Sequence, residues 1–312
     1  MLKVKRIFGL LVTLFILVVV MGCTSEESSE TAGETEVPVQ DPIGFDITVP
    51  EEIDGIISLA PSITVILIDL GLEDQIIAMD TQSAFSLGNE RGLPELDMLA
   101  PEIESMIALD PDFVFASAMI MMGDEESDPL SALKDLDIGV AYIPSSDSIV
   151  GIQEDIRFIA AVVGETEAGD ELISEMERTI EEVIALIGDV EVAPTVYFEI
   201  SPAPDMFSFG NGVFLHEMLE LIGAENIFAD MESWMAVEAE SVVTLNPDVI
   251  FTNVDFIDDS VAEILARPGW EGMNAVINER VYFIDNNDTS LPTHHITRGL
   301  RAMAMYLYDL NE

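Results

Sequence analysis

Short apolar runs alternate with helix-period segments along most of the chain. Ile56-Ile57-Ser58-Leu59 has the length of a buried strand, and Pro61-Ser62 then opens a helical stretch to Leu70 with Gly71 at its C-cap. Ile76–Met79, Asp112–Ala116 and Val140–Ile143 continue the strand series, the last of them preceded by a helical stretch from Leu130 to Leu136. The second half repeats this grammar. Strands are predicted at Thr195–Phe198, Val249–Phe251 and Val281–Ile284, with helices at Phe214–Ile222, capped by Gly223, and at Ile296–Tyr308. Strands separated by helices of this length predict βαβ units, and therefore an α/β fold with mostly parallel sheets.

Between the halves, Glu167 to Ile187 has no Pro and no Gly after Gly169, and Leu172, Met176, Ile180, Val183, Ile184 and Ile187 fall on one helical face. Such a helix is about 30 Å long and joins two lobes stiffly. An ungapped internal repeat supports two similar lobes. Glu104-Ser105-Met106-Ile107-Ala108-Leu109-Asp110-Pro111-Asp112-Phe113-Val114-Phe115 aligns with Glu240-Ser241-Val242-Val243-Thr244-Leu245-Asn246-Pro247-Asp248-Val249-Ile250-Phe251, each reading as helix, Pro-Asp turn and buried strand. The expected organisation is an N-terminal lobe over 47–145, a helical bridge over 146–190 and a C-terminal lobe over 191–312. Each lobe is expected to be Rossmann-like, and closure around a ligand should move them only a few degrees.

The first residues read as an address. Lys3, Lys5 and Arg6 precede an apolar run from Ile7 to Met21, which is too short to span a bilayer and suits a secretory signal over 1–22. Val20-Met21-Gly22-Cys23 is similar to a bacterial lipobox, in which Cys23 carries the lipid; a free thiol after an ordinary signal peptide is the alternative. The protein is then expected outside the cell membrane or in a periplasm, held by lipid and with no spanning helix. Residues 23–46, polar and acidic at first, read as a disordered tether.

Charge narrows the functions. The chain carries 60 Asp+Glu against 11 Lys+Arg, a formal −49, and removal of residues 1–22 leaves 8 cations and a net −52. Nucleic-acid binding is excluded, because phosphates need clustered Lys and Arg. Self-repulsion of this size suggests a salty habitat, since the Debye length falls to about 3 Å in molar salt. One Cys rules out a disulfide framework, a zinc ribbon and a redox pair.

The sequence resembles the extracytoplasmic substrate-binding lipoproteins of iron-siderophore and cobalamin ABC importers, whose lobes are joined by one helix. The resemblance rests on Ile57-Ser58-Leu59-Ala60-Pro61-Ser62, Glu104–Phe115, Phe214–Asp230, Glu240–Phe251, and Arg267-Pro268-Gly269-Trp270 leading into Glu279-Arg280-Val281-Tyr282. It covers roughly residues 47–310. It implies capture of a ferric siderophore or corrinoid between the lobes and docking of a monomeric binding protein on a dimeric ABC permease. The permease-facing residues it implies are Glu104 and Glu240. Presenting one carboxylate from each of two similar lobes suits a two-fold partner. No catalytic residue and no cofactor are expected.

Ligands of open α/β sheets bind at the carboxyl ends of the strands. By position the cleft residues are Pro61, Ser62, Phe85, Met119 and Met121 in the first lobe. In the second they are Glu199, Met206, Phe256, His294, His295 and Arg298. The methionines form an adaptable apolar wall more readily than a soft-metal site. His216 reads as a packed or surface histidine. Where many relatives carry Arg-Pro and Pro-Arg, this chain reads Leu291-Pro292-Thr293-His294-His295. With both arginines missing, Arg91 and Arg298 are the candidate cleft cations, and a neutral or cationic ligand is favoured over a catecholate. Rival readings are a binding protein for free zinc or manganese, a ligand sensor of the same fold, and an exported enzyme. No Gly-x-Ser-x-Gly, His-Glu-x-x-His or P-loop motif supports the last.

Overall fold

The structure, a computed structural model, describes residues 37–121 and 128–310. The signal, Cys23 and most of the expected tether lie outside them, as do residues 122–127. The described residues belong to one compact unit.

The N-terminal lobe runs β1 (Ile56–Leu59), α1 (Pro61–Asp69), β2 (Ile76–Asp80), α2 (Thr81–Leu87), β3 (Glu95–Leu96), α3 (Ile103–Ala108), β4 (Phe113–Ser117), α4 (Ser131–Lys134) and β5 (Gly139–Ile143). Its five strands pair in the order β3-β2-β1-β4-β5, all parallel. Two helices follow, α5 (Ile149–Val162) and α6 (Thr166–Ile187). The C-terminal lobe contains β6 (Thr195–Glu199), β7 (Phe207–Phe209), α7 (Phe214–Leu221), β8 (Glu225–Asn226), β9 (Trp234–Ala236) and α8 (Ala239–Leu245). It continues with β10 (Val249–Thr252), α9 (Ser260–Leu265), α10 (Asn274–Ile277), β11 (Val281–Phe283), α11 (Asn287–Ser290) and α12 (Ile296–Leu307). Its parallel sheet has the order β11-β10-β6-β8, and β7 and β9 form a separate antiparallel pair. Strands β1, β4, β5 and β10 are buried along their whole length, as parallel strands covered on both faces must be.

The internal repeat has a physical cause. In each copy the helix ends on a left-handed residue, Asp110 (φ 54°) or Asn246 (φ 48°), residue types that tolerate this conformation. The aspartate after the proline then anchors the neighbouring central strand. Asp112 Oδ2 accepts from the amides of Asp54 and Gly55, both at 2.8 Å, just before β1. Asp248 Oδ2 accepts from the Thr195 amide at 3.1 Å and its hydroxyl at 2.9 Å, at the start of β6.

The long bridging helix is α6, and α5 packs along it. After β5 the chain folds through α5, turns at Gly164 (φ 78°) and enters α6, a helix of 22 residues. The helices touch closely at Gly169, where a Cβ would lie 2.5 Å from that of Ala160. One apolar cluster passes from the first lobe (Ile56, Phe113, Phe115) through Ile156, Ile159, Met176 and Val183 to Val196, Phe198 and Phe251 of the second. The N-terminal end of α5 is also tied across the lobes, since the Ile149 amide donates to Glu217 Oε2 of α7 at 2.8 Å.

The tether expected over 23–46 is too long. Residues 37–46 are ordered on the edge strand β5: buried Asp41 accepts from the amides of Ile43 and Phe45 and, at 3.0 Å, from that of Tyr142. Phe45 packs edge-on against Tyr142, with the Lys134 ammonium over both rings. The segment Asp41-Pro42-Ile43-Gly44 is a turn that covers an otherwise open sheet edge.

Candidate functional site

Parallel strands in both lobes direct their carboxyl ends, and the loops that follow, to a single side of each sheet. In the first lobe this edge is held by buried hydroxyls. Asp80 caps α2, accepting from the amides of Gln82 at 2.9 Å and Ser83 at 3.0 Å, and also from the Ser83 hydroxyl. Ser83 contacts Thr64 at 3.0 Å, and Thr64 contacts Ser58 at 2.8 Å, so α1, α2 and β1 share one chain of hydrogen bonds. Pro61 and Ser62 sit half-buried at the start of α1, and α2 carries Phe85 outward with 83% of its surface exposed. After β4, Met119 is exposed and Met121 half-buried. In the second lobe Phe256, after β10, is 67% exposed, and Phe207 and Trp234 of the β7–β9 pair are also exposed. Phe85, Met119 and Phe256 thus leave apolar surface in water on segments that follow strands.

Two expected cleft residues are elsewhere. Glu199 is fully buried, and Met206 packs in the core of the second lobe. Glu199 is clamped by Arg267, with guanidinium contacts of 2.6 and 2.8 Å, and Arg267 also pairs with Glu263. Burial raises the Glu199 carboxyl, with the Arg267 contacts opposing it, and the Arg267 plane lies 4.2 Å from the Trp270 ring centre. For Glu199 the cause is its direction at a strand end. Glu199 ends β6 pointing inward, where its charge needs a partner that lies 68 residues away.

Arg91 is not a cleft cation either. Its guanidinium binds the carbonyls of Glu73, Asp74 and Ile76, at the entry to β2. Lys134 pairs with Asp128, Arg178 with Glu175 and Glu182, Arg301 with Glu182, and Arg280 with the Leu307 carbonyl. Arg298 is exposed and has no carboxylate within ion-pair distance among the described residues. None of the eight Lys and Arg beyond residue 22 falls in a loop that follows a strand.

His294 and His295 converge on Asp69 at the end of α1. Their Nε2 atoms lie 3.1 and 2.9 Å from Asp69 Oδ2, and the rings meet edge to face. The contacts from His294 and then His295 hold the Asp69 carboxyl well below the usual carboxylate range. This group bridges the lobes between two cavities. One of about 590 Å³ opens toward α6 and α12, and one of about 470 Å³ is walled by α1, α2 and the loop before α11. The sequence did not point to Asp69, which reads as one more polar residue at a helix end and meets its partners 225 positions later. His216, in α7, is buried, with Nδ1 3.4 Å from Asn226 Nδ2 and Nε2 3.5 Å from Glu220.

Glu104 and Glu240 are exposed in the first turns of α3 and α8. Both helices run antiparallel to the strands they precede, so both glutamates start on the side where the strands end.

A family model described as periplasmic binding protein matches residues 56–287. The uncharacterized ABC transporter substrate-binding lipoprotein YvrC of Bacillus subtilis is 29% identical over 300 residues, covering 93% of each chain. The vitamin B12-binding protein of Vibrio cholerae is 24% identical, over 83% of this chain and 90% of that protein. The molybdate-binding protein MolA of Haemophilus influenzae, solved with molybdate bound, aligns with a TM-score of 0.73 at 23% identity, covering 87% of this chain and 91% of that one.

The buried ion pair makes a direct prediction. Arg267→Met should cost about 3–5 kcal/mol in urea unfolding, because it strands the Glu199 charge. The double variant Arg267→Met, Glu199→Leu should recover most of that loss. Equal losses in the single and double variants would contradict the pairing.

Proposed function

The chain belongs to the periplasmic binding protein family, the substrate-binding components of ABC transporters, and from that premise we propose that its cargo is a corrinoid or a neutral or cationic ferric siderophore. The observation that carries the proposal is the composition of the strand-end edges. Phe85, Met119 and Phe256 offer exposed apolar surface there, while no Lys or Arg follows a strand. A catecholate siderophore or an oxyanion needs charge-assisted donors to replace its hydration. A corrinoid ring or a hydroxamate chelate instead buries apolar surface and accepts a few hydrogen bonds. The family is one of non-enzymatic binding proteins.

In this reading the chain is exported, cleaved before Cys23 and held by lipid on the outer face of the cell membrane. Cargo enters between the lobes, and the loaded protein docks on a permease dimer through Glu104 and Glu240. Their exposure and their matched positions in the two repeats support that role.

A thermal-shift panel on the lipid-free chain in high salt tests the cargo. It contains cobalamin, cobinamide, ferric hydroxamates, ferric catecholates, haem and molybdate. A ligand at 100 times its dissociation constant adds about 2.7 kcal/mol, a rise of a few degrees. A rise with a corrinoid or hydroxamate alone is expected; a response confined to catecholate, haem or molybdate would overturn the assignment. For docking, Glu104→Arg with Glu240→Arg should abolish uptake in cells while leaving cargo affinity within about two-fold. Undiminished uptake would remove these residues from the interface.

A further inference from the structure

We propose that Asp69, His294 and His295 form a binding site for one divalent cation of the zinc class, resident at the junction of the two lobes and separate from the cargo cleft. The three head groups offer one ligand atom each within 4.8 Å of one another. Two imidazoles and one carboxylate with room for water is a donor set that suits zinc and the neighbouring first-row metals.

The hydrogen bonding of these groups points the same way. Both Nε2 atoms approach the same carboxylate oxygen, at 3.1 and 2.9 Å. The His295 Nε2 is buried and has no aligned hydrogen-bond partner despite that approach, and the His294 Nδ1 is buried and unpartnered as well. Buried polar atoms are ordinarily satisfied, and a cation at the focus of the two Nε2 atoms and the carboxylate would satisfy the His295 nitrogen. A cation at bond lengths of about 2.0–2.1 Å would space tetrahedral ligand atoms about 3.4 Å apart. Small rotations of the rings from the present contacts reach that spacing.

Access and charge fit a cation. Asp69 and His295 line both adjoining cavities, which together give an entry path and space for coordinated water. Glu175 and Glu182 face the larger cavity, and Asp285 and Asp288 the smaller. The arginines there, Arg178 and Arg301, are already paired with Glu182, which leaves Arg298 as the opposing charge. An anion would meet the Asp69 carboxylate at the centre of the group.

The position defines the role. Asp69 ends α1 of the first lobe, whereas both histidines precede α12 of the second, and none of the three lies in a loop directly after a strand. A bound cation therefore cross-links the lobes, as a staple rather than a cargo. This inference does not depend on what the cleft carries.

Cobalt(II) is the probe, titrated into the lipid-free chain with excess magnesium to occupy the acidic surface. The expected result is one equivalent bound with the visible absorption of a low-coordinate nitrogen–oxygen site, competed away by zinc. Zinc should also raise the melting temperature of the wild type. Asp69→Asn and His295→Ala should each weaken cobalt binding by about ten-fold or more and remove the zinc-induced rise, with Glu271→Gln, an exposed residue that lines neither cavity, unchanged. Melting of each variant without metal, within a few degrees of the wild type, shows that it is folded. Absence of the visible band, the same binding in Asp69→Asn and His295→Ala as in the wild type, or a thermal response to molybdate or phosphate lost in His295→Ala would overturn the site. Failure of the cargo panel leaves these readouts untouched, and their failure leaves the cargo panel untouched.

Discussion

The structure depends on burial that does not stop at the lobe boundary. The apolar face of α6, predicted from positions spaced by three and four, packs on α5 and joins the cores of both sheets in one cluster. Sheets linked only by flexible strands could hinge widely. Here, separating the lobes along the bridge would expose Ile159, Met176 and Val183, each close to fully buried, and removing an aliphatic side chain from a core costs about 2–5 kcal/mol. Relative movement along the bridge is therefore restricted.

The same frame explains how a chain with eight cations beyond its leader uses them. Most are spent on architecture. Arg267 neutralises the carboxylate buried at the end of β6, Lys134 closes the β5 edge, Arg91 binds the carbonyls before β2, and Arg178 and Arg301 join α6 to α12 through Glu182. The loops that follow the strands are left without a Lys or Arg. On the proposed reading, such an arrangement would select its ligand by shape and apolar contact, while most of the acidic surface charge is left to screening by salt.

Much of this was legible in the sequence. The parallel sheets, α6 and the paired Pro-Asp turns could be read because each depends on local periodicity or a residue's own conformational preference. Asp112 and Asp248 repeat because each anchors an adjacent strand. What escaped depended on partners far along the chain. Glu199 looked like a cleft residue by position, but its inward direction at the end of β6 and its pairing with Arg267 decide its place. Asp69 gave no signal, since its meaning comes from two histidines in the other lobe. The ordered segment 37–46 was hidden by the acidic stretch before it, although Asp41-Pro42-Ile43-Gly44 carries a turn signature. The short strands β7 and β9 lack the length from which periodicity can be read.

Differential scanning calorimetry of the lipid-free chain in high salt tests the shared core most directly. If α5 and α6 fuse the lobes into one cooperative body, unfolding gives a single transition whose calorimetric and van't Hoff enthalpies agree. Two resolved transitions, one for each lobe, would contradict the account.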